Sequence, residues 1–345
     1  MSDLGLADPD LRPWLNEVCA GLLDRVPAAE AGQAGQSSEY LWTELDALGL
    51  TRLTGAESAG GSGAGWPEAA ELLTAAAWHG LRLPIAEHDV LAGWLLETLG
   101  LPTDHSRRTV AVLDDRGEAH GVPWAAASER IVVVWGGPES RRTRDVAVAD
   151  LEVRPGLNIA GEPRDHVTFV VGEDQGHPVP EAVFTELTLR GALVRAVQGC
   201  GALERILSLS VDYTTQRYQF GRPLAKFQAI QHMLADIAGE VALARSATDT
   251  AVRRVAVGPW TCREVRASVA TARSCVGHAT TTVVRNAHQV HGAIGTTQEH
   301  QLHRFTLAAL AWRSESGTTE HWDQVLTDLL LEQGSLGLWP TIVSS

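Results

Sequence analysis

The stretch Arg217-Tyr218-Gln219-Phe220-Gly221-Arg222-Pro223-Leu224 runs on into Phe227-Gln228-Ala229-Ile230-Gln231-His232-Met233-Leu234-Ala235-Asp236, and the rest of the chain is read outward from it. Gly221 and Pro223 punctuate a helical pattern that continues on both sides. Phe184 to Tyr213 and Phe227 to Val255 each lack an internal proline, and Arg263 to His288, rich in Ala, Val and Thr, forms a third long segment. Leu302 to Trp312 and Glu320 to Glu332 follow. Long segments joined by short Gly/Pro turns predict a C-terminal four-helix bundle over 181–345.

Upstream the period changes. Thr109-Val110-Ala111-Val112-Leu113, Arg130-Ile131-Val132-Val133-Val134-Trp135 and Val167-Thr168-Phe169-Val170-Val171 are short β-rich runs set off by Asp114-Asp115-Arg116-Gly117 and Gly136-Gly137-Pro138. They predict a reduced middle β domain over 107–180. Residues 1–106 read as helical, with apolar residues at helical spacing in Leu11 to Val26 and Glu39 to Leu50 and again in Leu72 to His79 and Glu87 to Leu99. The cluster Ala59-Gly60-Gly61-Ser62-Gly63-Ala64-Gly65 lacks the spacing and Lys of a phosphate-binding loop and reads as a flexible connection. The expected class is mostly α with a small β domain.

With 345 residues, 44% hydrophobic and 20% charged, the chain is long enough for several domains and composed like a folded soluble protein. A formal net charge of −14 speaks against nucleic acid and against an anionic membrane surface as partners. The four cysteines, Cys19, Cys200, Cys262 and Cys275, are scattered and read as buried thiols of a reducing cytoplasm. The polar start, with Ser2, Asp3, Asp8 and Asp10, has no signal-peptide pattern. No apolar run approaches the ~20 residues of a membrane span.

The opening stretch closely resembles the R-x-Q-F-G-x-P-[IL]-x-x-F-Q-x-[IV]-Q-H-x-L-A-D segment of the acyl-CoA dehydrogenase family. Gln289-Val290-His291-Gly292-Ala293-Ile294-Gly295 is similar to that family's Q-x-x-G-G-x-G, with Ala293 in place of the second glycine. Leu48-Gly49-Leu50 followed by Gly60-Gly61-Ser62-Gly63 is a weaker match in the first domain. The resemblance implies an N-terminal helical domain, a middle β domain and a four-helix bundle, with FAD as cofactor and an acyl-CoA as substrate. It implies that Arg217, Gln219, Phe220, Gln228, Gln289, Val290, His291, Gly292 and Ala293 hold the ADP half of an FAD bound mainly by a neighbouring subunit. The chemistry suits this: an Arg gives a planar fork of donors to a pyrophosphate, and a glycine lets backbone approach a phosphate. Read without the resemblance, the same Arg caps a helix and the same Gly turns the chain.

The departures carry equal weight. The family's base is a Glu directly before Gly-Thr, but Ser316 precedes Gly317-Thr318 here, with Glu315 one residue earlier. A one-residue offset on a helix turns a side chain by about 100°. Some members place the base on the first long bundle helix, which by register from Arg217 falls at Gly191. Neither Ser nor Gly removes a thioester α-proton at neutral pH. The acidic-Gly-Ser-Asp loop and the Trp-[IV]-[ST] segment of the family are missing, and Val122-Pro123-Trp124-Ala125-Ala126 is the nearest relic of the latter. Trp124 reads as ordinary packing, with a shifted flavin contact as the alternative. Thr318 matches a family residue that touches the flavin.

The chain is therefore expected to resemble the non-catalytic subunit of actinobacterial α2β2 steroid side-chain acyl-CoA dehydrogenases. A second dehydrogenase-like subunit would supply the base for α,β-dehydrogenation, with a hydride passing to flavin. The alternatives are a self-sufficient flavoenzyme of the same fold, either a divergent dehydrogenase using Glu315 or a monooxygenase, and a structural subunit without flavin. His288 with His291 and His300 with His303 share an i, i+3 spacing, but few carboxylates adjoin them and no metal site is assigned.

Overall fold

The computed structural model describes residues 7–26, 39–170, 176–332 and 334; Ser2, Asp3 and Val171 of the sequence reading lie outside them. The chain divides into two compact units. One contains Ala7–Leu72 and Leu81–Gly191; the other contains Leu73–Gly80 and the residues from Ala192 onward.

In the first unit, α1 (Leu11–Asp24) buries Leu15, Cys19 and Leu22, one stripe of a 3.6-residue period. Helix α2 (Glu39–Ala47) buries Leu41, Trp42 and Leu45. Helix α3 (Trp66–His79), whose residues from Leu73 onward belong to the other unit, opens with Pro67 in its first turn, where no amide donor is needed. A π-helical segment, Glu87–Gly93, runs into α4 (Trp94–Thr98). Its consecutive Glu87, His88 and Asp89 are all buried. His88 Nδ1 accepts the Arg108 amide at 3.1 Å, and burial, reinforced by nearby Arg108, pushes the imidazole down to about 3. The Asp89 carboxylate accepts the Thr54 amide and hydroxyl, each at 3.0 Å.

Those contacts correct one expectation. The glycine cluster is not a loose connection but a folded loop. Gly61, Ser62, Gly63 and Ala64 donate to Ala56, Arg52, Gly55 and Leu53 at 2.9–3.1 Å. Glycine is required at 61, where a Cβ would sit 2.1 Å from the Gly55 carbonyl oxygen.

The strands are β1 (Arg108–Val112), β2 (Glu118–Pro123), β3 (Arg130–Trp135), β4 (Arg142–Ala147), β5 (Glu152–Arg154), β6 (Arg164–Thr168) and β7 (His177–Pro178). They form sheets of order β1-β3-β4-β7 and β2-β6-β5. The β1–β3 pair is parallel, with Arg108 opposite Arg130. Strand β3 reads as an unbroken apolar run because both its faces are covered. Ile131 and Val133 join a core with Ala111, Val122 and Val167, while Val132 and Val134 join Leu95, Leu96 and Leu187.

Helix α5 (Glu181–Gln216) passes from the first unit into the second. There, α6 (Gln228–Val257), α7 (Arg263–His291), α8 (Leu302–Arg313) and α9 (Thr319–Leu331) complete the helical C-terminal part. Helix α7 is central, packing along α6 and against both α8 and α9. The short strands β8 (Tyr218–Gln219) and β9 (Arg222–Pro223) form a hairpin between α5 and α6. On sequence, Leu203, Ile206, Leu207, Leu209 and Val211 suggest a face for other subunits. Instead Leu203, Ile206 and Leu209 are buried within the chain itself, because α5 is enclosed by its own neighbours, and only Val211 is well exposed.

Candidate functional site

The opening stretch folds as a tight hairpin. Leu224 N donates to Arg217 O at 2.8 Å and closes it. Its two tip residues, Phe220 (φ 51°) and Gly221 (φ 78°), are both left-handed, which suits a two-residue turn matched to strand twist. For Phe this backbone is strained, costing on the order of 1–3 kcal/mol. The strained residue is 91% exposed, so burial does not offset the strain. Its ring meets Phe227 edge-on at 6.2 Å, and the Arg222 guanidinium lies 4.1 Å over Phe227. Arg217, Gln219 and Gln228 are all exposed. Among the described residues the Arg217 guanidinium has no hydrogen bond or ion pair.

The second predicted segment ends α7. Gln289, Gly292 and Ala293 are exposed, whereas Val290 and His291 are buried at 4% each. Gly292 caps the helix at φ 65°, ψ −145°, a conformation only glycine adopts readily, and a Cβ there would meet nothing within 4 Å. The backbone is thus open for an approaching group. The His291 side chain is turned inward, so only its main chain is available at the surface.

The two segments are neighbours. The Tyr213 ring, on the last turn of α5, stacks on His291 at 4.6 Å and 19°. Arg217 N donates to Tyr213 O at 2.9 Å, placing the hairpin on the same turn. Sequence reasoning missed Tyr213; the only signal for it was its spacing one helical turn before Arg217.

Neither base position holds a carboxylate. Ser316 sits at φ 52° in the loop between α8 and α9. Glu315 Oε2 lies 2.8 Å from Arg195 Nε on α5. Arg273 on α7, 1% exposed, reaches the same loop. Its Nη2 donates to the carbonyls of Glu315 and Gly317 at 2.8 Å and of Arg313 at 3.1 Å. Trp322 Nε1 donates to Ser316 O at 3.0 Å. Burial, with Arg195 adding repulsion, lowers Arg273 to about 10, still a cation at neutral pH. The loop is thereby fixed by two buried cations, and Glu315 is committed to one of them. Both arginines were legible as charges in apolar helical runs, between Val194 and Ala196 and between Ala272 and Ser274.

At the other position, Gly191 follows Arg190, whose guanidinium lies 4.0 Å over Trp94 while Nε donates to Glu186 at 2.9 Å. Beside it is a cavity of about 150 Å³ lined also by Trp66, Glu97 and the folded glycine loop. Thr318 caps α9, its hydroxyl accepting from His321 N at 3.2 Å, on the rim of an open hollow of about 450 Å³ with Thr281, Arg313 and Asp323. Trp124 is 3% exposed, and its main chain is bound at both ends, to Pro163 O and Ser128 Oγ. It packs in the interior of the β region.

Residues 182–329 match the family profile "Acyl-CoA dehydrogenase, C-terminal domain". The acyl-CoA dehydrogenase FadE27 of Mycobacterium tuberculosis is 30% identical over 308 residues, covering 78% of this chain and 82% of that protein. The acyl-CoA dehydrogenase IpdE2 of Mycolicibacterium smegmatis is 28% identical over 308 residues, covering 84% and 89%. The chain belongs to the acyl-CoA dehydrogenase family, a family of oxidoreductases acting on acyl-CoA. Within it, the fold is similar to that in the ChsE4–ChsE5 complex from Mycobacterium tuberculosis, at TM-score 0.79 and 23% identity over 94% of this chain and 98% of that one. It is similar also to a chain of a Tcur3481–Tcur3483 steroid acyl-CoA dehydrogenase, at TM-score 0.81 and 22% identity over the same shares.

Proposed function

We propose that this chain is a subunit of a heteromeric FAD-dependent acyl-CoA dehydrogenase that supplies the ADP-binding half of the FAD site while a partner subunit supplies the catalytic base. The observation that carries the reading is a division within the molecule. The exposed Arg217 fork and the open Gly292 backbone stand together at adjacent helix ends, while both base positions are Ser316 and Gly191 and the nearby Glu315 is tied to Arg195. When bound, FAD would supply the hydride acceptor for α,β-dehydrogenation. This chain's contribution is to hold the cofactor. Arg217 would pair with the pyrophosphate, and Gln228 and Gln289 would satisfy ribose, adenine or phosphate oxygens. The backbone from Val290 to Ala293 would close on the phosphates, with Phe220 and Gln219 lining the hairpin side.

The partner in this reading is a second dehydrogenase-like subunit in an α2β2 assembly, and the acyl-CoA is a steroid side-chain thioester. The two fold neighbours support it, being named as a two-component complex and as a steroid enzyme. So does the surface of α6, where Ala235, Ala238, Gly239, Ala242 and Leu243 are exposed as a low-polarity face. The test is to purify the chain through a tag, identify what accompanies it, and count flavins per complex. A flavin that stays with the complex and is absent from the isolated chain supports the reading. A yellow, stoichiometric flavoprotein from the chain alone refutes it and favours the self-sufficient enzyme, for which the hollow beside Thr318 is the motivating feature.

A further inference from the structure

Four histidines crowd the junction of α7 and α8, and the proposed cofactor role uses none of their side chains. His291 stacks on Tyr213, and His300 meets His291 edge-on at 4.8 Å and Tyr213 at 5.9 Å. His288 Nε2 lies 3.1 Å from Thr306 Oγ1 on α8, and His303 Nδ1 lies 2.8 Å from the His300 carbonyl. His291 Nδ1 is 2.8 Å from Ala287 O, which can only accept, so Nδ1 carries the proton and Nε2 is the bare nitrogen of the neutral ring. The rings thus link three elements: the end of α5, which bears the Arg217 hairpin; the end of α7, which bears Gln289 to Ala293; and the start of α8.

We propose that Tyr213 and His291 are positioning residues of the cofactor clamp, their stacked rings holding the Arg217 hairpin in register with the Gln289–Ala293 segment so that the two arms grip one dinucleotide. This rests on the clamp reading above and goes beyond it by naming what makes the arms a unit. The join is built of uncharged rings. The groups facing His291 are His288 on its own helix, His300 from the turn before α8, and Tyr213 and the Leu209 carbonyl from α5. The acidic neighbours in sequence, Asp212 and Glu299, are exposed. Burial first, then His300 and His288, lower the His291 pKa against the pull of the Ala287 and Leu209 carbonyls. His288 and His300 are lowered by burial and by His303. A histidine held neutral in the folded state contributes stability that is intact above its unfolded value of about 6.5 and is lost as pH falls below it. In the folded chain the ring itself takes up a proton only as pH falls through its own lowered value, and there the stacked join loosens.

The experiment combines FAD titration by fluorescence into the tag-purified complex with hydrogen exchange on the Arg217–Leu224 amides. His291→Ala is expected to weaken FAD binding by about two- to tenfold, the worth of one aromatic pair, and to speed exchange in the hairpin, a segment it does not adjoin in sequence. His291→Phe keeps a stacked ring without a titrating nitrogen. It should retain affinity at pH 7.5 and blunt the fall in affinity expected of the native complex as pH is lowered below about 6.5. Unchanged hairpin exchange and affinity in His291→Ala, or a pH profile in His291→Phe identical to native, overturns the proposal. Should His291→Ala not fold, the His291→Phe profile decides alone. Arg217→Ala run in parallel separates the two claims: if it leaves FAD affinity untouched, the clamp reading itself fails, whereas if it weakens binding while the His291 variants do nothing, only the present inference fails.

Discussion

Replacing Arg217 by alanine isolates the proposed cofactor role from folding. The Arg217 side chain is exposed and has no hydrogen bond or ion pair among the described residues, so its loss removes no internal contact. The hairpin is closed by main-chain bonds, Leu224 N to Arg217 O and Arg217 N to Tyr213 O, which alanine keeps. Unfolding free energy should therefore change by no more than about 0.5 kcal/mol, the usual scale for a surface substitution away from special features. FAD affinity should change far more. A charge-assisted bidentate pair to pyrophosphate is worth about 1.5–3 kcal/mol, which converts to roughly ten- to a hundredfold in Kd. Arg217→Lys should recover only part, since a point charge does not reproduce the fork. Salt should narrow the difference between native and variant, because the site is open to solvent. The assay is a fluorescence titration of FAD into the apo complex, with the partner native and assembly checked by size. Native affinity in an intact Arg217→Ala complex would falsify the division of labour argued above.

Three further outcomes are expected. The isolated chain should not bleach flavin with any acyl-CoA, and Ser316→Glu should not restore activity, because residue 316 lies at positive φ in a loop held by Arg273 and Trp322; turnover on the order of 1–10³ s⁻¹ from the chain alone would refute this. Arg195→Met should destabilise the fold by about 1–3 kcal/mol in urea unfolding, because it removes the guanidinium 2.8 Å from a largely buried Glu315 carboxylate, and adding Glu315→Gln should recover part of that loss; additive losses would show that the pair is not coupled. Asp89 is pushed up by burial to about 6, against its Thr54 hydrogen bonds. Its folded value exceeds the unfolded one, so its stabilising contribution is present below pH ~4 and is lost as pH rises through about 6. Asp89→Asn should therefore gain stability relative to native as pH is raised from 4.5 to 7.5, and a difference that stays constant with pH would contradict the assignment.

Helices were legible where apolar spacing was regular. The long runs through α5, α6 and α7 announce themselves by absence of proline and by breakers at either end. Strands β1 and β3 were legible because they are rich in valine. Strands β2 and β4 were not, since Glu118-Ala119-His120-Gly121-Val122-Pro123 and Arg142-Thr143-Arg144-Asp145-Val146-Ala147 carry polar residues wherever one face meets solvent. Their strand character comes from pairing with β6 and β3 rather than from local preference. The glycine loop misled for a related reason. Glycine-rich composition signals conformational freedom, whereas carboxylates distant in sequence order the loop, Asp89 by holding Thr54 and Glu97 by accepting the Ala56 amide.

The sequence by itself determined which chemical groups exist: a guanidinium at 217, glycine at 292, and no carboxylate at 191 or 316. These are local facts, fixed by residue identity and spacing. Tertiary structure alone decided which of them meet. It turned Val290 and His291 inward, brought Tyr213 from another helix onto His291, and gave Glu315 to Arg195. Each of those contacts joins residues far apart in the chain, and their energy depends on burial and mutual distance, quantities set by packing and not by the order of residues.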